Sequence, residues 1–245
     1  MTNKVSILLT VYNKPQFLNE CIDSVINQTY QDWELIILDD NSPDPKVGEI
    51  IDSYTDPRII KHNSYVSDED RYKTARYATM INWGVHNLAS GKYITYLVDD
   101  DFYMPDRLQT LVEYMDAHPD HQVVYHPLVN VDADGNPGGV RGVKGILDGL
   151  TEDTQAFNYV DHNMVMHTRE AFDAVGRWYD DPGVWGGADA YFWRHLNEKG
   201  YKFYPVGSND HPLGAKRYHT GSVQWLWVDG SFWPQDRKNR GLDPL

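Results

Sequence analysis

Two short apolar runs with a helix-length segment between them fill the first 40 residues and limit what the chain can become. Val5 to Val11 reads VSILLTV, and Glu34 to Leu38 reads ELIIL. Between them Asn13 is placed to cap a helix with Pro15 in its first turn. Phe17, Leu18, Cys21, Ile22, Val25 and Ile26 then recur at helical spacing. Strand, helix, strand at this length is a βαβ unit, which implies a parallel pair joined by a right-handed crossover. Parallel strands end on the same side, and open α/β sheets bind ligands beyond those carboxyl ends. Both runs end in polar chemistry there: Thr10-Val11-Tyr12-Asn13-Lys14 after the first, Asp39-Asp40-Asn41-Ser42 after the second.

The pattern continues with a helix over Val47 to Tyr54 and a short strand over Arg58 to Lys61. A polar loop follows from His62 to Tyr72, then a helix from about Lys73 to Leu88. Gly91 opens a third strong run, Tyr93 to Val98, which leads straight into Asp99, Asp100 and Asp101. A helix start at Met104-Pro105-Asp106 and an apolar stripe of Leu108, Leu111, Val112 and Met115 come next. Three adjacent carboxylates repel one another unless something cationic joins them. A hard cation with oxygen ligands, Mg²⁺ or Mn²⁺, is the natural occupant, and it usually shares its shell with phosphate oxygens. The plainer alternative is a solvated acidic loop.

The second half has a mixed texture. Gln122 to Tyr125 reads as a strand, and VDADGNPGGVRGVKG from Val131 reads as turns or a hairpin. Asp161 to His167 is strand-like, and Arg169 to Val175 is a helix with Gly176 as its C-cap. Trp185-Gly186-Gly187-Ala188-Asp189 leads into a helix with Tyr191, Phe192, His195 and Leu196 on one face, ending at Gly200. Phe203 to Val206 reads as the last strand. The pattern fades after Asn209 into a locally basic tail with His211, Lys216, Arg217, His219, Arg237, Lys238 and Arg240. With no repeat or linker, the expectation is one α/β domain: a nucleotide-binding half over 1–103, a mixed acceptor half over 104–210, and a tail over 211–245 able to act as a lid.

Composition narrows the partners. A net charge of −14 disfavours nucleic acid and anionic membrane, but leaves a nucleotide ligand open. The single cysteine, Cys21, lies on a helix stripe, so no internal disulfide forms. A cytoplasmic location fits, with peripheral membrane contact left open, and no apolar stretch is long enough for a bilayer.

If the three strong strands are neighbours, their ends meet. The first supplies hydroxyls, a lysine and a helix N-terminus; the second supplies carboxylates that accept from a base or a ribose; the third supplies the metal. Together these suit a nucleoside diphosphate lying across the sheet edge. Neither GxGxxG nor GxxxxGK[ST] is present. Arg71 and Arg76 flank the polar loop, as surface charge or as partners of the nucleotide. Asp189, in the first turn of its helix, is either a dipole-favoured helix-start carboxylate or a general base. His211 and His219 are either metal ligands or ordinary loop histidines.

VSILLTVYNKPQFLNECIDSVINQTYQDWELIILDDNS closely resembles the opening of family 2 inverting glycosyltransferases with the GT-A fold. The resemblance extends through TARYATMINWGV, GKYITYLVDDDFYMPDRL, VDHNMVMH and DAYFWR, and is greatest to the bacterial spore-coat polysaccharide type. It implies a Rossmann-like, mostly parallel mixed sheet flanked by helices, with an irregular C-terminal tail. It also implies a nucleotide pocket lined by Thr10, Tyr12, Lys14 and Arg71, with Asp40 on a uracil-type base and Asp99 near the ribose. Asp100 would ligate the Mn²⁺ or Mg²⁺ that bridges the diphosphate, with Asp101 and His219 as further candidate ligands, and Asp189 would be the catalytic base. Ala188 before Asp189 departs from the acidic pair or Gly-Asp common in the family. The expected partners are a UDP- or dTDP-sugar donor and a glycan or other hydroxyl acceptor. A sugar nucleotidyltransferase and a non-catalytic nucleotide- or glycan-binding relative are the alternatives.

Overall fold

A computed structural model describes residues 3–67, 69–150, 160–184 and 187–220. The first half follows the expected order. β1 (Val5–Val11), α1 (Pro15–Ile26), β2 (Trp33–Asp39), α2 (Pro45–Ser53), β3 (Ile59–Asn63), α3 (Arg76–Asn87) and β4 (Tyr93–Val98) succeed one another. A two-residue strand, β5 (Phe102–Tyr103), then precedes α4 (Arg107–Ala117). The second half contains β6 (Val123–Tyr125), β7 (Leu128–Val131), β8 (Pro137–Arg141), β9 (Val165–Thr168), α5 (Arg169–Val175), α6 (Ala188–Glu198), β10 (Phe203–Pro205) and β11 (Gly214–Arg217).

The large sheet has seven strands in the order β10-β6-β9-β4-β1-β2-β3. All run parallel except β9, which lies antiparallel to both β4 and β6. β1 explains why the centre is parallel. Val5, Ile7, Leu9 and Val11 pack with Leu18, Cys21, Ile22 and Val25 of α1 and with the α4 stripe on one face. Leu8 packs on the other face with Ala78, Ile81 and Val85 of α3, in a cluster that includes Phe172 of α5 and Trp193 of α6. A strand buried on both faces reads as a continuous apolar run. Cys21 is fully buried, as its place on the stripe predicts. No helix among the described residues is long and apolar enough to cross a membrane.

Several local expectations change. Asn13 does not cap α1: it lies one residue further out at φ 56°, and Lys14 takes the cap position without a side-chain cap bond. β3 runs on to Asn63, and Arg71–Lys73 forms a 3₁₀ turn inside the expected loop. The strand-like stretch after Asp161 begins with another 3₁₀ turn, His162–Met164. On α6 the buried face is Phe192, Trp193 and Leu196, while Tyr191 and His195 are only half-buried.

Phe203–Pro205 is not the last strand. β11 completes a four-stranded sheet, β5-β11-β7-β8, antiparallel to β5 and parallel to β7. The tail between His211 and Thr220 is therefore built into the fold, and the rest of the expected lid, with Arg237, Lys238 and Arg240, lies outside the described residues.

Candidate functional site

Thr10 is level with both Leu38 of β2 and Val98 of β4, so the residues that follow leave the sheet along one edge. Thr10 itself is buried in the body of β1. The loops after β1 and β2 are stitched together. The Asn13 amide donates to Ser42 Oγ at 3.0 Å, and the Asp44 amide donates to Asn13 Oδ1 at 3.2 Å. Asn13 and Asn41 both hold φ 56°, the left-handed region that asparagine tolerates better than most residues.

Asp99 and Asp100 share a cation already in the chain. Lys14 Nζ lies 2.7 Å from Asp99 Oδ1 and 3.4 Å from Asp100 Oδ2. The Tyr12 amide donates to Asp99 Oδ2 at 2.8 Å, so both oxygens of that carboxylate are engaged. Asp100 Oδ2 also meets His219 Nε2 at 3.0 Å, and His219 packs against the Phe17 ring with centroids 4.8 Å apart. Burial pushes the Asp99 carboxyl up against the pull of Lys14. Burial also works against charge on Asp100, but Lys14, His219 and Lys216 outweigh it and hold that carboxyl below the usual range. Of the two, Asp100 holds its charge to the lower pH.

Asp101 has a different occupation. It was expected either beside Asp100 at the metal or in solvent. Instead it is buried, with Oδ1 accepting from the Arg217 amide at 2.7 Å and Oδ2 accepting from Asn163 Nδ2. Arg217 in turn donates to the Asp100 carbonyl at 3.1 Å, to the carbonyls of Asp132 and Ala133, and to Glu20. Beside it Lys216 is buried in an ion pair with Asp161. Arg107 is buried below, donating to Thr95 Oγ1 at 2.7 Å and to the Asn163 carbonyl at 3.2 Å. The acidic loop is thus clamped from behind by β11 and by the turn at Asp161–Asn163. In the sequence Lys216 and Arg217 read only as tail charge, because four residues with two cations carry no strand pattern.

On the β2 side Asp40 receives two arginines. Arg71 Nη1 lies 2.6 Å from Oδ2, Arg76 Nε donates to Oδ1 at 2.8 Å, and Arg71 Nη2 donates to the Asp40 carbonyl at 2.9 Å. Arg71 is buried rather than a surface charge, and its guanidinium stands 4.3 Å from the centroid of the Tyr12 ring. Tyr12 remains 41% exposed at the sheet edge.

Asp189 stands in the first turn of α6, as expected. Its Oδ1 accepts from the Ala190 amide at 2.8 Å, and its Oδ2 lies 3.6 Å from His162 Nδ1. The hydroxyl of Tyr77 accepts from the Ala188 amide at 2.9 Å and so satisfies one free donor of the helix start. His211 lies away from the carboxylates, 2.8 Å from exposed Asp106.

The donor set fits a divalent ion in a limited way. Among the described residues no group of three or more acidic, histidine or cysteine side chains converges. The carboxylate and imidazole of Asp100 and His219 do converge, 3.0 Å apart. Two protein ligands are what a cation needs when it completes its shell with phosphate oxygens.

The sequence pattern of Glycosyl transferase family 2 matches residues 6–176. Protein CgeD of Bacillus subtilis is 42% identical over 206 residues, which is 80% of this chain and 47% of that relative. The chain thus spans about half the length of this curated relative. Among solved structures, S. aureus TarS (residues 1–349) in complex with UDP superposes with a TM-score of 0.66 at 13% identity, covering 95% of this chain and 65% of that one. The mannosyltransferase PcManGT from Pyrobaculum calidifontis, in complex with GDP-Man and Mn²⁺, gives a TM-score of 0.64 at 15% identity, covering 98% and 65%. At these identities the likeness speaks for the fold, which is the expected GT-A arrangement. With its parallel sheet edge, its acidic loop and the matched pattern, the chain belongs to glycosyl transferase family 2.

Proposed function

We propose that this protein is an inverting, metal-dependent glycosyltransferase that moves a sugar from a UDP- or dTDP-type donor to an acceptor hydroxyl in bacterial glycan synthesis. The observation that carries the reading is the convergence of Tyr12, Lys14, Asp40, Asp99 and Asp100 at one sheet edge. Tyr12, stacked by the Arg71 guanidinium and 41% exposed, would lie beside the base. Asp40, already neutralised by Arg71 and Arg76, forms the polar wall beside it, with lone-pair capacity left on Oδ2. Asp99 lies toward the ribose, and Lys14 is placed for the diphosphate once a donor is bound. Asp100 and His219 would hold Mn²⁺ or Mg²⁺, which supplies charge stabilisation for the departing diphosphate. Asp101 leaves the ligand set and serves as a strut for the loop.

Asp189 takes the proton of the acceptor hydroxyl as that oxygen bonds the anomeric carbon. Attack from the face opposite the diphosphate breaks the sugar–oxygen bond with inversion. The UDP complex of TarS and the GDP-Man and Mn²⁺ complex of PcManGT support a nucleotide and a divalent ion as ligands of this fold.

Thermal-shift measurements with UDP-, dTDP- and GDP-sugars, with and without Mn²⁺, test the donor class. A cognate donor raises Tm by mass action, and a melting curve indifferent to all of them would sink the reading. Asp100→Ala should abolish the Mn²⁺-dependent part of that rise. Asp189→Asn should retain it while transfer falls about 10²–10⁴-fold.

A further inference from the structure

The turn Asp161-His162-Asn163 touches three parts of the site at once. Asp161 pairs with Lys216 of β11, Asn163 donates to Asp101, and His162 faces Asp189. His162 is half-buried against an aromatic wall: its ring centroid lies 6.0 Å from that of Tyr77, in a stacked orientation, and 6.1 Å from that of Trp178, edge-on. Among the described residues its buried Nε2 has no hydrogen-bond partner, and the ring's polar contact to Asp189 is made through Nδ1. At 3.6 Å that contact to Asp189 Oδ2 is longer than a hydrogen bond and within ion-pair range.

We propose that His162 is a positioning residue whose imidazole holds the Asp189 carboxylate in place. The inference rests on the reading of Asp189 as the base. The groups facing His162 come from every neighbouring element. Asp189 faces it from α6, Asp161 from its own turn, Lys216 from β11 and Tyr77 from α3, while Arg141 of β8 pairs with Asp161 at 3.8 Å. Burial disfavours charge on His162, yet Asp189 and Asp161 together raise it above the ordinary histidine value. Proton affinity is shared between such neighbours: charge on the ring favours charge on the carboxylate, and the reverse. Tyr77 completes the arrangement by holding the Ala188 amide, so the α6 start is fixed from two sides.

The pairing is testable in the protein without any ligand. The chain has 10 histidines, and the His162 signals are identified by their loss in His162→Asn. Imidazole titration followed by NMR should place the His162 midpoint above that of free histidine. In Asp189→Asn that midpoint should fall by about one pH unit, the effect of removing an opposite charge at this range. An unmoved midpoint would overturn the pairing.

His162→Asn keeps a donor near the Nδ1 position and a similar shape, but cannot carry charge. With Mn²⁺ and the donor chosen by thermal shift, its acid limb of kcat should move up by about one pH unit. KM for the donor should stay within about twofold, because His162 lies outside the residues proposed to hold the donor. An acid limb identical to that of the parent protein, or a KM rising in step with the loss of kcat, counts against the proposal. The outcomes also separate the two readings. A midpoint that moves in a protein that turns over no nucleotide sugar leaves the pairing standing and removes the function. Full donor turnover, lost in Asp189→Asn, with an unmoved midpoint removes the pairing alone.

Discussion

The two sheets of this molecule are held by different physics. In the seven-stranded sheet the central strands are apolar and buried on both faces, with the α1, α2 and α4 stripes on one side and α3, α5 and α6 on the other. Among the described residues the four-stranded sheet adds a small apolar cluster of its own, Val129, Val131 and Ala215 with Phe102 and Met104 packed on it, while Leu128 and Tyr103 reach into the large cores. Its central strand, β11, instead buries Lys216 and Arg217, each matched to a partner near the acidic loop. The large sheet decides where the loops end. The small sheet decides which way the carboxylates of one loop face and what charge surrounds them.

The largest expected effect probes the small sheet. Lys216→Met leaves the Asp161 carboxylate buried beside an apolar chain, which should cost about 3–5 kcal/mol in urea unfolding. Adding Asp161→Asn should recover most of it. Donor affinity should fall with the single change, because Asp101 also loses a neighbouring cation. An unchanged affinity would break the comparison and reduce β11 to scaffold.

A titration in the large sheet comes next. His167 of β9 is fully buried; the Tyr96 hydroxyl meets its Nε2 at 2.7 Å, and its Nδ1 lies 2.9 Å from the Thr168 carbonyl. Those partners fit a neutral ring with its proton on Nδ1, and burial pushes its pKa down to about 4. The unfolded chain takes up this proton near pH 6.5 and the folded chain only near 4. The stabilisation is therefore whole above pH 6.5 and is lost as pH falls toward 4, to a total of about 3 kcal/mol. Asp161, held below the ordinary carboxylate range against its burial by Lys216, loses its contribution only at lower pH. Stability measured against pH for the parent and for His167→Gln should differ in slope between those two values, and parallel curves would refute the assignment.

The smallest effect tests whether the two ends of the large sheet are independent. A Cβ on Gly91 would lie 2.7 Å from the Lys4 carbonyl oxygen and the Ser6 nitrogen, both backbone atoms that cannot swing aside. Gly91→Ala should lower stability by about 1–3 kcal/mol. The folded fraction should keep its donor affinity, since Gly91 precedes β4 and the site follows it. Loss of affinity at full folding would show that strain travels the length of the strand.

The same contrast explains what could be read in advance. β1, β2, β4 and the α4 stripe stood out because burial on two faces, or along one helix stripe, leaves a pattern in the chain itself. The residues proposed for the site, Tyr12, Lys14, Asp40, Asp99 and Asp100, follow directly on those strands. β11 was not, because its burial depends on distant partners and its residues alone look like a basic tail. Trp193 was passed over on α6 for His195, since that helix buries a wider stripe than one narrow face predicts.

By itself the sequence determined the parallel centre, the edge where its loops gather, and the family. Those follow from residues near one another in the chain, where spacing and hydropathy are enough. Only the tertiary structure gave the three adjacent carboxylates their partners: Asp99 on Lys14, Asp100 on Lys14 and His219, Asp101 turned inward to Asn163 and Arg217. It also set His162 against Asp189. The role of a buried charge depends on which opposite charges and donors reach it, and here those come from elements 60 to 120 residues away, roughly, along the chain.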